Sequence, residues 1–343
     1  MSLKVGIVGL PNVGKSTLFN ALLKKRVALS ANYPFATVEP NVGVVAVPDN
    51  RLVELADLVK TEDKMDTLPP IVPAVCEFVD IAGLVKGAST GAGLGNQFLS
   101  HIREVDAIIH VLRDFSDPNI IREGSENPDS DKLTVETELG LADLQTLEKL
   151  LLDKTLDSEK KDLLNKIKED LNVGRNPGIH PNLPLLSIKP VLYVYNVGEE
   201  EYVQKLSDRK QNELVICAKL EEELVDLSEE DRREYLKELG IEETGLERLI
   251  KKAYHLLGLA SFLTAGKKEV RAWTIKQGMK APQAAGVIHT DFEKNFIRAE
   301  VVEYGKLIEA GSMAVAKKKG WVRTEGKDYI MKDGDVVEFL IGS

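Results

Sequence analysis

The sequence predicts an α/β fold: a doubly wound sheet that carries an α-helical hairpin insertion and is followed by a small α+β domain. Three observations predict it: an opening strand, glycine turn and helix; a Leu-, Glu- and Lys-rich stretch from Leu133 to Leu171; and alternating apolar strands beyond Ala260. At 343 residues the chain exceeds one ordinary hydrophobic core, so several domains are expected. The division read from pattern is 1–120 with 185–259 for the sheet domain, 121–184 for the helical insertion and 260–343 for the last domain.

Composition excludes several classes. With 43% apolar and 29% charged residues the chain is an ordinary globular one, neither disordered nor fibrous. No apolar run reaches the roughly 18 residues of a membrane span, and Met1 to Val8 reads as a buried strand. A cytoplasmic monomer without membrane contact is therefore expected. Cys76 and Cys217 stand far apart with no His nearby, which argues against a disulfide framework or a zinc site. A net charge of −10 repels a phosphate backbone, so any nucleic-acid contact needs a local basic patch.

The opening element explains why the sheet should be doubly wound. Lys4 to Val8 is an apolar strand, and Gly9-Leu-Pro-Asn-Val-Gly14-Lys15-Ser16-Thr17 then fits G-x-x-x-x-G-K-[ST] in its required context of strand before and helix after. In such a loop the successive N–H groups, Val13 and Gly14 among them, and the helix N-terminus cradle phosphate. Lys15 is expected on the β/γ-phosphates, Ser16 on Mg²⁺ and Thr17 beside the α-phosphate. Asn12 is either a turn former or a phosphate donor that also helps to hold K⁺.

Two further elements read as sensors of a γ-phosphate. The proline-flanked segment Asn32-Tyr-Pro-Phe-Ala-Thr37-Val-Glu-Pro holds Thr37, expected to swing onto Mg²⁺. After the strand ending at Asp80 comes Ile-Ala-Gly83, a D-x-x-G, with Asp80 expected to hold Mg²⁺ through water and the Gly83 N–H to face the γ-phosphate. The next position, often a water-orienting Gln, is Leu84, so hydrolysis is expected to be slow. Water activation is left between His101, on the following helix, and Arg122.

Leu185 to Tyr195 reads as another buried strand and ends in Asn196-Val197-Gly-Glu199, where a guanine-reading N-K-x-D would stand. Glu199 in place of Asp and Val197 in place of Lys disturb the guanine clamp, and adenine has no donors for that carboxylate. Asn196 is expected to bond the base and brace the phosphate loop. Ala218, in Cys217-Ala-Lys219, is expected to offer its N–H to the base.

Together the segments Gly-Leu-Pro-Asn-Val-Gly-Lys-Ser, Asp-Ile-Ala-Gly-Leu-Val-Lys-Gly-Ala-Ser, Gly-Leu-Gly-Asn-Gln-Phe-Leu and Asn-Val-Gly-Glu resemble the YchF family of Obg-related P-loop ATPases over nearly the whole chain. That resemblance implies a P-loop NTPase domain interrupted by helices, a C-terminal β-grasp (TGS) domain, ATP preferred over the weaker GTP, and association with ribosomes. One departure stands out: some family members carry His after Asn-Ile-Ile, to which a catalytic role is attributed, whereas here Asn119-Ile-Ile is followed by Arg122. Arg can stabilise transition-state charge but cannot act as a general base.

The helical insertion follows from Leu139, Leu141, Leu144, Leu147 and Leu151 at helical spacing, closed by Arg175-Asn-Pro-Gly-Ile-His-Pro. In the tail, Val270 to Ile275, Phe296 to Val302 and Val336 to Ile341 read as strands, and Lys317, Lys318 and Lys319 beside Trp321 are the best RNA-facing patch. The chain is thus expected to be a slow Mg²⁺-dependent ATP hydrolase. Two alternatives stand beside it: a GTPase, and an RNA- or ribosome-binding module that nucleotide only stabilises.

Overall fold

The computed structural model describes residues 3–29, 41–83, 94–122, 126–175, 177–178, 183–206 and 210–342. Along the chain run β1 (Lys4–Val8), α1 (Lys15–Leu29), β2 (Val42–Ala46), α2 (Arg51–Glu62), β3 (Ile71–Val72), β4 (Val75–Asp80), α3 (Leu94–Arg103) and β5 (Ala107–Asp114). There follow α4 (Pro128–Leu151), α5 (Ser158–Asn172), β6 (Val191–Val197), α6 (Glu199–Lys205), β7 (Glu213–Ile216), α7 (Ala218–Val225), α8 (Glu229–Glu238) and α9 (Gly245–Leu256). The remainder is β8 (Leu259–Ala265), β9 (Val270–Lys276), α10 (Ala281–Ile288), α11 (Thr290–Lys294), β10 (Phe296–Glu303), α12 (Tyr304–Ala310), α13 (Met313–Lys318), β11 (Arg323–Glu325) and β12 (Asp335–Ile341).

The first sheet has the order β2-β4-β1-β5-β6-β7, with β1 parallel to β4 and β5, and β6 parallel to β5 and β7. Its central strands β1 and β5 are buried on both faces, which is why they are mostly apolar rather than alternating, with His110 and Arg113 as buried polar exceptions in β5. The strand order reverses beside β1, so the carboxyl ends of β1, β4, β5 and β6 open on the crevice where such sheets take ligands.

The helical insertion is the hairpin α4 and α5. Asn127 accepts from Ser130 N–H at 2.9 Å, Ser130 Oγ reciprocates at the Asn127 N–H, and Pro128 opens the first turn, which together fix the start of α4. Leu147, Leu164, Ile167 and Leu185 form the hairpin core. Leu141 is 40% exposed and lies outside the buried stripe, which runs instead through Val135, Leu139, Ala142 and Leu147. The expected strand from Leu185 begins only at Val191: the amides of Leu186 and Ser187 go to Asp143, a buried carboxylate of α4, at 2.8 and 2.7 Å, and so are withdrawn from any ladder.

The second sheet has the order β11-β10-β12-β8-β9-β3. Strand pairs β10–β11, β10–β12 and β8–β9 are antiparallel, whereas β12–β8 and β3–β9 are parallel. Ala281, Ala284 and Ala285 of α10 pack on Phe262, Ile275, Phe296 and Val301 to form its core.

The compact units are residues 1–45 with 76–257, and 46–75 with 258–343. This departs from the division drawn from sequence, because residues 46–75 belong with the second sheet. Ile71 and Val72 pair with Val270 and Arg271, Val270 N–H donates to Pro70 O at 2.9 Å, and Arg51 Nη1 donates to Asp333 Oδ2 at 2.8 Å. Glu62 accepts the first amides of α13, from Met313 at 3.1 Å and Ala314 at 3.3 Å. No helix among the described residues is long and apolar enough to cross a membrane.

Candidate functional site

The site assembles at the carboxyl ends of β1, β4 and β6. Asn12 takes φ +61° and Gly14 φ +91°, both in the left-handed region, and α1 begins directly after with the Leu18 N–H on Gly14 O at 3.0 Å. Gly14 is demanded twice over: a Cβ there would lie 2.2 Å from Asn196 Nδ2. Gly9 is equally confined, since its Cβ would meet Val111 O at 2.9 Å.

Lys15 Nζ forms an ion pair with Asp80 Oδ1 at the end of β4, so the lysine expected on phosphate and the carboxylate expected on the metal lie in one place. Ser16 is exposed at the N-terminus of α1, Thr17 is half-buried in the same turn, and Gly83 approaches the phosphate loop closely enough that its Cβ would lie 3.5 Å from Gly9 O. Among the described residues no cluster of three or more His, Cys, Asp or Glu forms a ready-made metal cage. Thr37 and Leu84 lie outside the described residues.

The base-reading segment is tied to the phosphate loop by one side chain. Asn196, 5% exposed at the end of β6, donates from Nδ2 to Val13 O at 2.9 Å and accepts the Ala218 N–H on Oδ1 at 2.9 Å. Ala218 N–H, expected on the base, is thus engaged by Asn196. Val197, an apolar residue of a buried strand, packs in one cluster with Leu112, Tyr193 and Tyr202. Glu199 opens α6 beside the Gly198 N-cap, half-exposed, with Lys219 Nζ 4.0 Å from its Oε2.

α7, which carries Ala218, is anchored by a residue that pattern reading missed. Glu221 is buried and accepts the Gly245 and Leu246 N–H groups at the start of α9, at 2.6 and 3.1 Å. Burial raises its pKa above the usual carboxylate range, and the two amides oppose that rise. Only a long-range contact could have revealed it, because Glu221 stands in an otherwise solvated-looking run of acids.

The two residues considered for water activation fall differently. His101 is exposed in the last turn of α3. Arg122 is engaged by the buried Asp131 of α4 at 3.1 Å and by Arg113 O at 3.0 Å. In the second unit, Lys317 pairs with Glu300 at 2.7 Å and Lys319 Nζ stacks 4.2 Å over the Trp321 ring, so two of the three lysines expected to face RNA are already partnered. Both cysteines are buried, and burial pushes Cys76 up to about 12, so it behaves as a small apolar residue.

A phosphate loop on a parallel sheet, a lysine and carboxylate facing each other, and an Asn bracing the loop from β6 define a P-loop NTPase of the G-domain class. Residues 4–140 match the model of a family described as 50S ribosome-binding GTPase, and residues 259–342 match that of the YchF-type GTPase C-terminal domain, described as a protein of unknown function. The chain is 49% identical to the ribosome-binding ATPase YchF of Bacillus subtilis and 46% identical to that of Escherichia coli O157:H7, covering 99% of each chain in both comparisons. The solved structure of the Schizosaccharomyces pombe YchF GTPase superposes with a TM-score of 0.84 at 36% identity, covering 99% of this chain and 98% of that one. The chain belongs to the YchF family.

Proposed function

We propose that this protein is a slow, Mg²⁺-dependent ATPase that switches a partner-binding surface and associates with ribosomes in the cytoplasm. The observation that carries the reading is the Asn196 brace with Glu199 in the next turn: the frame of a G-domain base site is kept while the guanine-reading Asp is replaced by a longer acid. An Asp at that place accepts the two donors of guanine, which adenine lacks. The names of relatives divide on this point, since the bacterial ones are ATPases and the fission-yeast one is a GTPase.

The donor set suits magnesium. Asp80 and Ser16 offer hard oxygens beside the phosphate lysine, and we assign Thr37 as the third ligand and Asn12 to K⁺. Ser16, Asp80 and Thr37 would hold the ion, which would supply neutralisation of the charge that develops on the β/γ-phosphates. Lys15 orients those phosphates and the Gly83 N–H faces the γ-phosphate. Leu84 stands where a water-orienting Gln is usual, which accords with slow turnover.

Competition of labelled ATP by unlabelled ATP and GTP in Mg²⁺ buffer tests this reading, with Glu199→Asp alongside. Tighter ATP binding in the wild type, shifting toward GTP in the variant, is the expected result. A wild type that prefers GTP would remove ATP from the proposal. Co-sedimentation with ribosomes in the presence of ATP, and its loss in Lys15→Ala, tests the partner.

A further inference from the structure

Arg122 sits one residue beyond a carbonyl that touches the phosphate loop. From the loop, Asn12 Nδ2 donates to Ile121 O at 3.2 Å; from the end of β5, Arg113 Nη2 donates to Ile120 O at 3.0 Å. Two consecutive carbonyls are thus held by the strand end and by the phosphate loop. Arg122 Nη2 then closes the segment onto α4, with Asp131 Oδ1 at 3.2 Å, Oδ2 at 3.1 Å and Arg113 O at 3.0 Å. Asp131 is 1% exposed and also accepts the Arg113 N–H at 3.1 Å.

We propose that Arg122, through Asp131 and the Ile121 carbonyl, is a positioning residue that fixes Asn12, and does not itself touch phosphate. Two physical points favour this over direct charge donation. Withdrawing the guanidinium would leave a buried carboxylate without its cation, which is strongly unfavourable. Asn12 holds a left-handed backbone of the kind Asn adopts readily, and the Ile121 carbonyl restrains its side-chain amide. The helical insertion therefore reaches the phosphate loop through a clasp, Asp131 to Arg122 to Ile121 to Asn12.

The inference rests on the hydrolase reading, and a double-mutant cycle on ATP turnover by the full chain separates the two. Arg122→Ala and Asn12→Ala should each lower kcat by about 10-fold with KM changed by less than about 2-fold, and the double variant should be no slower than the worse single one. Asp131→Asn should reproduce the Arg122→Ala loss, and Arg122→Lys should recover most of the rate, since an ammonium still satisfies Asp131. Matched unfolding midpoints identify any variant that merely fails to fold, and Arg122→Lys keeps the cycle readable in that case. Losses that multiply, or an Asp131→Asn enzyme as fast as wild type, would make Arg122 a direct charge donor and overturn the proposal alone. A wild type that turns over neither ATP nor GTP overturns the hydrolase reading and this proposal with it.

Discussion

The two sheets, six strands each among the described residues, differ in what they gather. In the first, parallel strands deliver Gly9, Asp80 and Asn196 to one end, where backbone amides and a lysine converge. In the second, parallel and antiparallel pairs are mixed, no end gathers such a set among the described residues, and the polar groups go into holding the unit together. On the proposed reading, polar contacts serve a nucleotide in the first case and the architecture in the second. Substitutions should therefore separate cleanly by unit.

The largest effect is expected at Asn196. Removing its carboxamide in Asn196→Ala leaves Val13 O and the Ala218 N–H without partners in a buried place, about 3 kcal/mol of stability in a urea titration, and nucleotide affinity should fall with it. In the second unit, Arg51→Met removes a guanidinium shared between Asp49 and Asp333, whose pull with the hydrogen bonds outweighs burial and holds its pKa above the ordinary value. We expect a loss of about 2 kcal/mol with nucleotide affinity unchanged, by the same titration and ATP binding. An Arg51→Met protein that loses nucleotide would break the contrast between the units.

A smaller effect distinguishes His110, buried on β5 with no hydrogen-bond partner at Nε2 among the described residues. Burial, aided by Lys132, lowers its pKa to about 3 from the usual value near 6.5. Above pH 6.5 the residue is neutral in both folded and unfolded chains; below it only the unfolded chain takes up the proton, so stability falls as pH drops toward 3. Between pH 6.5 and 5.5 wild type should lose about 1 kcal/mol more than His110→Leu, read from urea midpoints at the two pH values.

The phosphate loop, Asp80-Gly83 and Asn196 were legible in sequence because each motif sets its geometry within a few residues of strand end. The α4–α5 hairpin was legible because its apolar period is local, although Leu141 fits the same period by eye and faces outward. What escaped were pairings set by distant chain. β3 is two residues long and finds its partner β9 about two hundred residues on, so residues 46–75 carry no local sign of their unit. Glu221 and Asp131 look like any helical acid until α9 and Arg122 arrive beside them.

The most direct test of the ATPase reading is phosphate release by the purified full-length chain with Mg²⁺, run in parallel on ATP and GTP, with Lys15→Ala as the control. The account expects slow release from ATP, less from GTP, none without Mg²⁺ and none from Lys15→Ala. Release from GTP with ATP left intact would contradict it.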